Sequence, residues 1–283
     1  MPFRWDLVTP AQLGTMLDGT REPNLWFLDE LVECAAKVVA RSGDGDLVFV
    51  GRSLDSMFDL LGGAECRTLL RLPVSFMRDR DRSGRRWRRR PLTSAETTAA
   101  RTLLASVGVT PHALARRTRP VTFVDVVHEG ETFTELFALL RDWIDEENET
   151  WPVIRRKLRF LGVTSRGKTS PNKYRWQQDA PWTRELPAKA VINVSLNPRV
   201  WSYFGDYQDK LTRSFRPDDW LAESDTPNRD ELTRQALAEA AALVTYGRSA
   251  TGRRALARAM DGEPALTTSW LRAVQSNLNR SHS

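Results

Sequence analysis

Apolar residues recur at helical spacing from Asn24 to Arg41, and Ser-Gly-Asp-Gly-Asp over 42–46 breaks the pattern, which predicts an amphipathic helix. Thr9-Pro10 reads as an N-cap followed by a first-turn proline, so another helix is expected before it. Leu47-Val48-Phe49-Val50 shows no polar alternation. A run this short and wholly apolar is the mark of a strand covered on both faces, as in a parallel sheet. Residues 54–61 return to helical spacing, 67–76 read as a second strand, and 94–106 as a helix. A third strand is expected over 121–127, an acidic helix over 132–147, a fourth strand over 159–165 and a fifth over 190–196.

Strands that alternate with helices predict an α/β fold: a mainly parallel, Rossmann-like sheet with right-handed crossovers. The Trp- and Pro-rich stretch 168–182 reads as an irregular excursion over the sheet edge. The chain changes character at Thr226, where Thr-Pro-Asn-Arg-Asp-Glu caps an Ala-rich helix ending near Gly247, with further helices over 251–260 and 267–278. Three parts are therefore expected: N-terminal helices over 1–45, an α/β core over 46–222, and a C-terminal helical region over 223–283.

Composition adds little until charge is placed on the chain. The 283 residues carry a net charge of +6, with 41% hydrophobic and 28% charged residues, ordinary for a globular protein. Residues 78–90, Arg-Asp-Arg-Asp-Arg-Ser-Gly-Arg-Arg-Trp-Arg-Arg-Arg, account for the whole surplus, and what remains holds 34 basic and 34 acidic residues. No apolar stretch approaches the ~18 residues that span a membrane. The opening Met-Pro-Phe-Arg-Trp-Asp has no signal-peptide run, so a cytoplasmic protein without a membrane partner is expected. Cys34 and Cys66 lie in apolar surroundings without C-x-x-C spacing, which points to two buried thiols.

The stretch Val121 to Phe133, Val-Thr-Phe-Val-Asp-Val-Val-His-Glu-Gly-Glu-Thr-Phe, ends an apolar run in a lone acid and opens a new segment through a short loop. In open α/β sheets, ligands collect outside the carboxyl ends of strands, where the next helix offers free N–H groups to an anion. This segment resembles the phosphoribosyl-diphosphate (PRPP) motif of type I phosphoribosyltransferases, in which four apolar residues and two acids precede a Thr-Gly-x-Thr loop. The resemblance sets Gly130 at the family's glycine, Thr132 at its final Thr or Ser and Asp125 at its second acid. Val124 stands at the first acid, Glu129 at the loop's first threonine, and Glu131 between Gly130 and Thr132. Two carboxylates facing a bound phosphate at ~4 Å would each cost roughly 1 kcal/mol in water and about 4 at a surface-like dielectric. Either they point away, or the ligand differs.

The resemblance covers roughly residues 45 to 200 and implies a sheet of the phosphoribosyltransferase type. It puts a pyrophosphate loop at Gly51-Arg52-Ser53 after the first strand, a hood loop after the second, and the PRPP motif after the third. Asp125 would orient the ribose and share Mg²⁺ with the diphosphate, and Arg52 would grip pyrophosphate with its guanidinium fork. Backbone N–H groups at Gly51 and Ser53 would add donors, while Gly130 and Thr132 would receive the 5′-phosphate. His128 could meet a phosphate, act as a base, or be a plain loop residue.

Several residues have blander readings beside these. Ser53 could be the N-cap of the helix at Leu54, and Asp55 and Asp59 read as first-turn or solvent-facing acids. The arginine segment, with Arg85, Arg86 and Arg88, could be a hood over the diphosphate, an arm for single-stranded nucleic acid with Trp87 stacking on a base, or a solvated loop. Trp201, Tyr203, Phe204 and Tyr207 could wall a base pocket or fill the core. The sequence thus supports a phosphoribosyltransferase-like protein for PRPP or a related phosphorylated sugar or nucleotide, with a non-catalytic nucleotide sensor or nucleic-acid binder as the alternative.

Overall fold

A computed structural model describes residues 4–5, 7, 13–76, 78–80, 87–89, 91–168, 175–212, 215–220 and 229–280, with backbone alone at 78–80, 87–89, 168 and 218. The chain runs α1 (Leu28–Ser42), β1 (Asp46–Val50), α2 (Asp55–Ala64), β2 (Leu69–Leu72), β3 (Arg78–Arg80), β4 (Trp87–Arg89), α3 (Ser94–Ser106) and α4 (Pro111–Arg116). It continues through β5 (Val121–Val126), α5 (Glu131–Glu146), α6 (Trp151–Ile154), β6 (Leu158–Ser165), β7 (Val191–Leu196) and α7 (Pro198–Ser202). A π-helical turn (Tyr203–Tyr207), α8 (Pro217–Trp220), α9 (Glu231–Arg248), α10 (Ala250–Ala259) and α11 (Ser269–Asn279) complete it.

Five strands form one all-parallel sheet in the order β2-β1-β5-β6-β7. Alternation along β1 shows why its sequence is wholly apolar. Leu47 and Phe49 join a cluster with α1, α2, α9, α10 and α11, whereas Val48 and Val50 face α3, α4 and α5. Both faces are therefore covered, and neither tolerates a polar register. The N-terminal helix and the three C-terminal helices share the first cluster. Gly63 of α2 and Gly247 of α9 allow their helices to touch: a Cβ on either would lie about 2 Å from a backbone carbonyl of the other helix.

The strands and most helices follow the apolar pattern, with instructive departures. β2 stops at Leu72 because Pro73 has no N–H for the ladder, and beyond it Ser75 N–H donates to the Phe215 carbonyl instead. α4 was not expected, although Thr110 caps the Ala113 N–H and Pro111 occupies the first turn. The described part of the excursion after β6 meets the edge strand β7, where Trp176 Nε1 donates to Asn193 Oδ1 at 2.9 Å, and it also packs onto a sheet face. Trp176 and Trp182 are buried in the second face cluster, Trp182 stacking on Phe137 with ring centroids 4.7 Å apart. α9 is capped by Asp230, whose Oδ1 accepts from Thr233 N–H. Thr226 and Thr9-Pro10 lie outside the described residues, so the expected first helix falls largely outside them, and the described residues 13–19 form turns.

The two cysteines are buried and unpaired, and burial pushes the Cys34 thiol to about 12 and the Cys66 thiol to about 11. Among the described residues no helix is long and apolar enough to cross a membrane. β3 and β4 make a separate antiparallel ribbon that pairs Asp79 with Arg88 and Arg80 with Trp87. Arg85 and Arg86 lie outside the described residues.

Candidate functional site

β1 and β5 are adjacent, and their connections leave in opposite directions. The chain after β1 passes to α2 on one face and returns to β2, while the chain after β5 passes to α5 on the other face and returns to β6. Such a switch point opens a crevice at the strands' carboxyl ends. Two glycines with positive φ turn the chain there, Gly51 at +67° and Gly130 at +79°. Gly51 N–H donates to the Leu72 carbonyl, and Gly130 takes the N-cap position of α5.

Asp125 sits at the end of β5, 6% exposed. Its Oδ1 accepts from the Val126 N–H at 2.7 Å. Burial raises the carboxyl to about 8, opposed by the Val126 N–H and by the charge of Lys210. Val124, one residue earlier, points to the opposite face and is fully buried among apolar side chains. The position matched to the family's first acid is thus a core position, where an uncompensated carboxylate would be strongly disfavoured.

Lys210 reaches this edge from the segment after β7. Its Nζ donates to the Phe204 carbonyl at 2.9 Å, to Gln208 Oε1 at 2.5 Å and to the Ser53 carbonyl at 3.4 Å. Burial lowers its ammonium to about 8, offset by Asp55 and more weakly by Glu239 and Asp125, while Arg52 adds to the lowering. One half-buried cation thereby ties the loop after β1 to the segment after β7.

Arg52 follows β1 directly, half-buried, and donates from Nη1 to the Thr212 carbonyl at 2.6 Å. Desolvation lowers its pKa, with Asp55 opposing and Arg216 reinforcing the fall. Ser53 is not the helix cap: Leu54 holds that position without a side-chain bond. Asp55 and Asp59 are not solvent-facing either. Both are buried, Asp55 against Arg71 at 2.7 Å and Asp59 against Arg4 at 2.5 Å. Their helix is apolar on nearly every side, so its only two acids must turn inward with it.

The phosphate-loop candidates divide. A Cβ on Gly130 would fall 2.3 Å from Trp176 Cε3, so a tryptophan closes over the loop backbone. Glu131 and Thr132 form the first turn of α5, both half-buried. His128 and Glu129 are exposed and face each other, Nδ1 to Oε1 at 3.7 Å. The His128 ring lies 5.9 Å from that of Trp201, whose Nε1 donates to the Val163 carbonyl. Phe204 belongs to the core, Tyr203 donates to Glu239 at 2.7 Å, and Tyr207 is exposed. Of the arginine segment, Arg88 lies in β4.

Asp125, Arg52, Gly51, Ser53 and Gly130 to Thr132 therefore converge on one edge. Lys210 and Thr212 belong there too and went unrecognised, because Asp-Tyr-Gln-Asp-Lys reads as an ordinary polar surface run. Among the described residues no group of three or more His, Cys, Asp or Glu is arranged to hold a metal ion. No family model matches the chain, and neither a curated protein nor a solved structure matches it.

Proposed function

We propose that the chain binds PRPP or a related phosphoribosyl compound at the carboxyl ends of β1 and β5 and transfers the phosphoribosyl group to a nitrogenous acceptor. The observation that carries this reading is the convergence of a buried acid, Asp125, with two glycine-turned loops at the point where the sheet's connections diverge. In this reading the α5 N-terminus and Thr132 receive the 5′-phosphate, with the positive φ of Gly130 turning the chain into the helix. Arg52 and the N–H groups of Gly51 and Ser53 take the diphosphate. Arg52 then exchanges the Thr212 carbonyl for phosphate oxygens, a stronger partner for a guanidinium.

A diphosphate brings its own oxygens to Mg²⁺, and the ion needs only one or two carboxylates beside them. Asp125 fits the single-carboxylate part, and the ion would supply charge neutralisation as the diphosphate departs. The arginines of 78–90, which follow β2 in the chain, serve as the hood over the diphosphate in this reading.

A second reading is favoured by Asp125 itself. With its carboxyl raised to about 8, the residue is a hydrogen-bond donor at neutral pH, suited to a ribose hydroxyl without metal. Val124 removes the other acid. A nucleotide sensor that catalyses nothing, or a binder of single-stranded nucleic acid through 78–90, would have this constitution.

Calorimetric titration of PRPP with Mg²⁺ and with chelator separates the two. The transferase reading expects metal-dependent binding, release of about one proton near pH 7 as Asp125 ionises, and weakening in Asp125→Asn and Thr132→Ala. Binding indifferent to metal, without proton release, supports the sensor; no binding to PRPP or ribose 5-phosphate removes both phosphoribosyl readings.

A further inference from the structure

A cleft of about 470 Å³ opens between residues 21–26, the π-helical turn after β7 and α9. It is of a size that takes a small organic ligand. Its charge is the reverse of the chain's: Glu22, Asp209 and Glu239 line it against the single cation Arg21. Its aromatic wall is Trp26, 41% exposed, set edge-on to Tyr203 at 5.4 Å between ring centroids. Exposed tryptophan beside carboxylates is the chemistry that attracts a desolvated cation. Trp26 already makes such a contact, with the Arg199 guanidinium 4.5 Å from its ring centroid.

Glu239 is fixed in place. Its Oε2 accepts from the Tyr203 hydroxyl and its Oε1 from the Gln208 amide, so no rotamer has to be ordered when a ligand arrives. Behind it a small pocket shares Asp209, Ala236 and Glu239 with the cleft and is lined further in by Asp55, Asp59 and the cation Lys210. The inner space is about 10 Å³, room for one water-sized group. Asp55 Oδ2, in a residue 7% exposed, is buried there without a hydrogen-bond partner. A buried acceptor left unpaired is costly, and an ammonium head or a water carried in with a cation would satisfy it.

We infer that this cleft binds a small organic cation, a primary ammonium on a short alkyl chain, with the head at Glu239 and Asp209 and the methylenes on Trp26 and Tyr203. The cleft uses none of the residues given to the phosphoribosyl ligand, although Lys210 lies between the two, and the inference stands without that reading. The test uses the full chain and two probes of equal length, 1,4-diaminobutane and the neutral 1,4-butanediol, titrated calorimetrically at physiological salt without PRPP. The diamine is expected to bind with one site and the diol not to bind. Asp209→Asn, at an exposed position, and Trp26→Ala are each expected to weaken the diamine about tenfold. Equal behaviour of diamine and diol, or diamine binding untouched by both substitutions, overturns the inference.

Discussion

Arg52 Nη1 and the Thr212 carbonyl oxygen lie 2.6 Å apart, joining the first residue after Gly51 to a segment 160 residues away. Together with Lys210 on the Ser53 carbonyl, this bond fixes the floor of the crevice from the C-terminal half of the chain. Arg52→Ala is expected to cost about 1–2 kcal/mol, the worth of a partly buried charged hydrogen bond. It should also weaken any anion bound at the crevice, whereas Arg52→Lys should restore part of the stability and little of a bidentate grip. Urea unfolding beside ligand titration checks both, and an Arg52→Ala protein as stable and as competent as the parent would detach Arg52 from the site.

Asp125 predicts a pH dependence whose sign is fixed. Its carboxyl is raised from 3.8 to about 8, so between those values the folded chain holds a proton that the unfolded chain releases. Stability from this residue is fully present below about pH 4 and is lost progressively as pH rises toward about 8. Lys210, lowered from 10.5 to about 8, acts above that window and in the opposite sense. Asp125→Asn should therefore gain stability relative to the parent at pH 8 and very little at pH 4. Unfolding curves at both pH values measure the difference; an equal effect at each would mean that the Asp125 carboxyl titrates alike in the folded and unfolded chain.

Gly130 and Trp176 predict a coupled pair. Gly130→Ala meets two penalties, roughly 1–2 kcal/mol for an L residue at φ +79° and roughly 1–3 for the clash with the indole. Trp176→Ala removes a buried ring, at about 3–5 kcal/mol. In the double variant the clash disappears and the backbone penalty stays, so the combined loss should fall short of the sum by about the clash energy. Simple additivity in chemical denaturation would place the whole cost of Gly130→Ala in the backbone.

How much of this was legible depended on where the information lay. Leu47 to Val50 of β1 is wholly apolar because both faces of the sheet are covered, and β5 departs from that pattern only at Thr122 and Asp125, so both strands were readable from a few residues each. α3 was readable because Thr93 and Glu96 form a capping box at its start. The switch point needed only the order of strands, and Asp125 at a strand end announced itself. Lys210 and Thr212 did not, since their role depends on β7's return path rather than on neighbours in sequence. Asp55 does lie in the first turn of α2, but neither it nor Asp59 faces water, contrary to what acids near a helix start usually do. The apolar residues around them carried the correct signal, that the whole helix is enclosed between β1 and α9.

Those two acids carry the last prediction. Asp55 Oδ1 accepts from Arg71 Nη2 at 2.7 Å, with Arg71 15% exposed and its guanidinium also near the Phe58 and Phe215 rings. Burial lowers the Arg71 pKa, and Asp55 is the largest opposing influence. Removing either partner strands the other charge beneath the sheet edge, so Asp55→Ala and Arg71→Ala should each cost roughly 3–5 kcal/mol. Removing both strands nothing, and the double variant should be little worse than one single variant. A double-mutant cycle in urea reads this coupling directly. If the two losses add, the charges are compensated by other neighbours, and the polar cluster behind the crevice is a set of independent side chains rather than one unit.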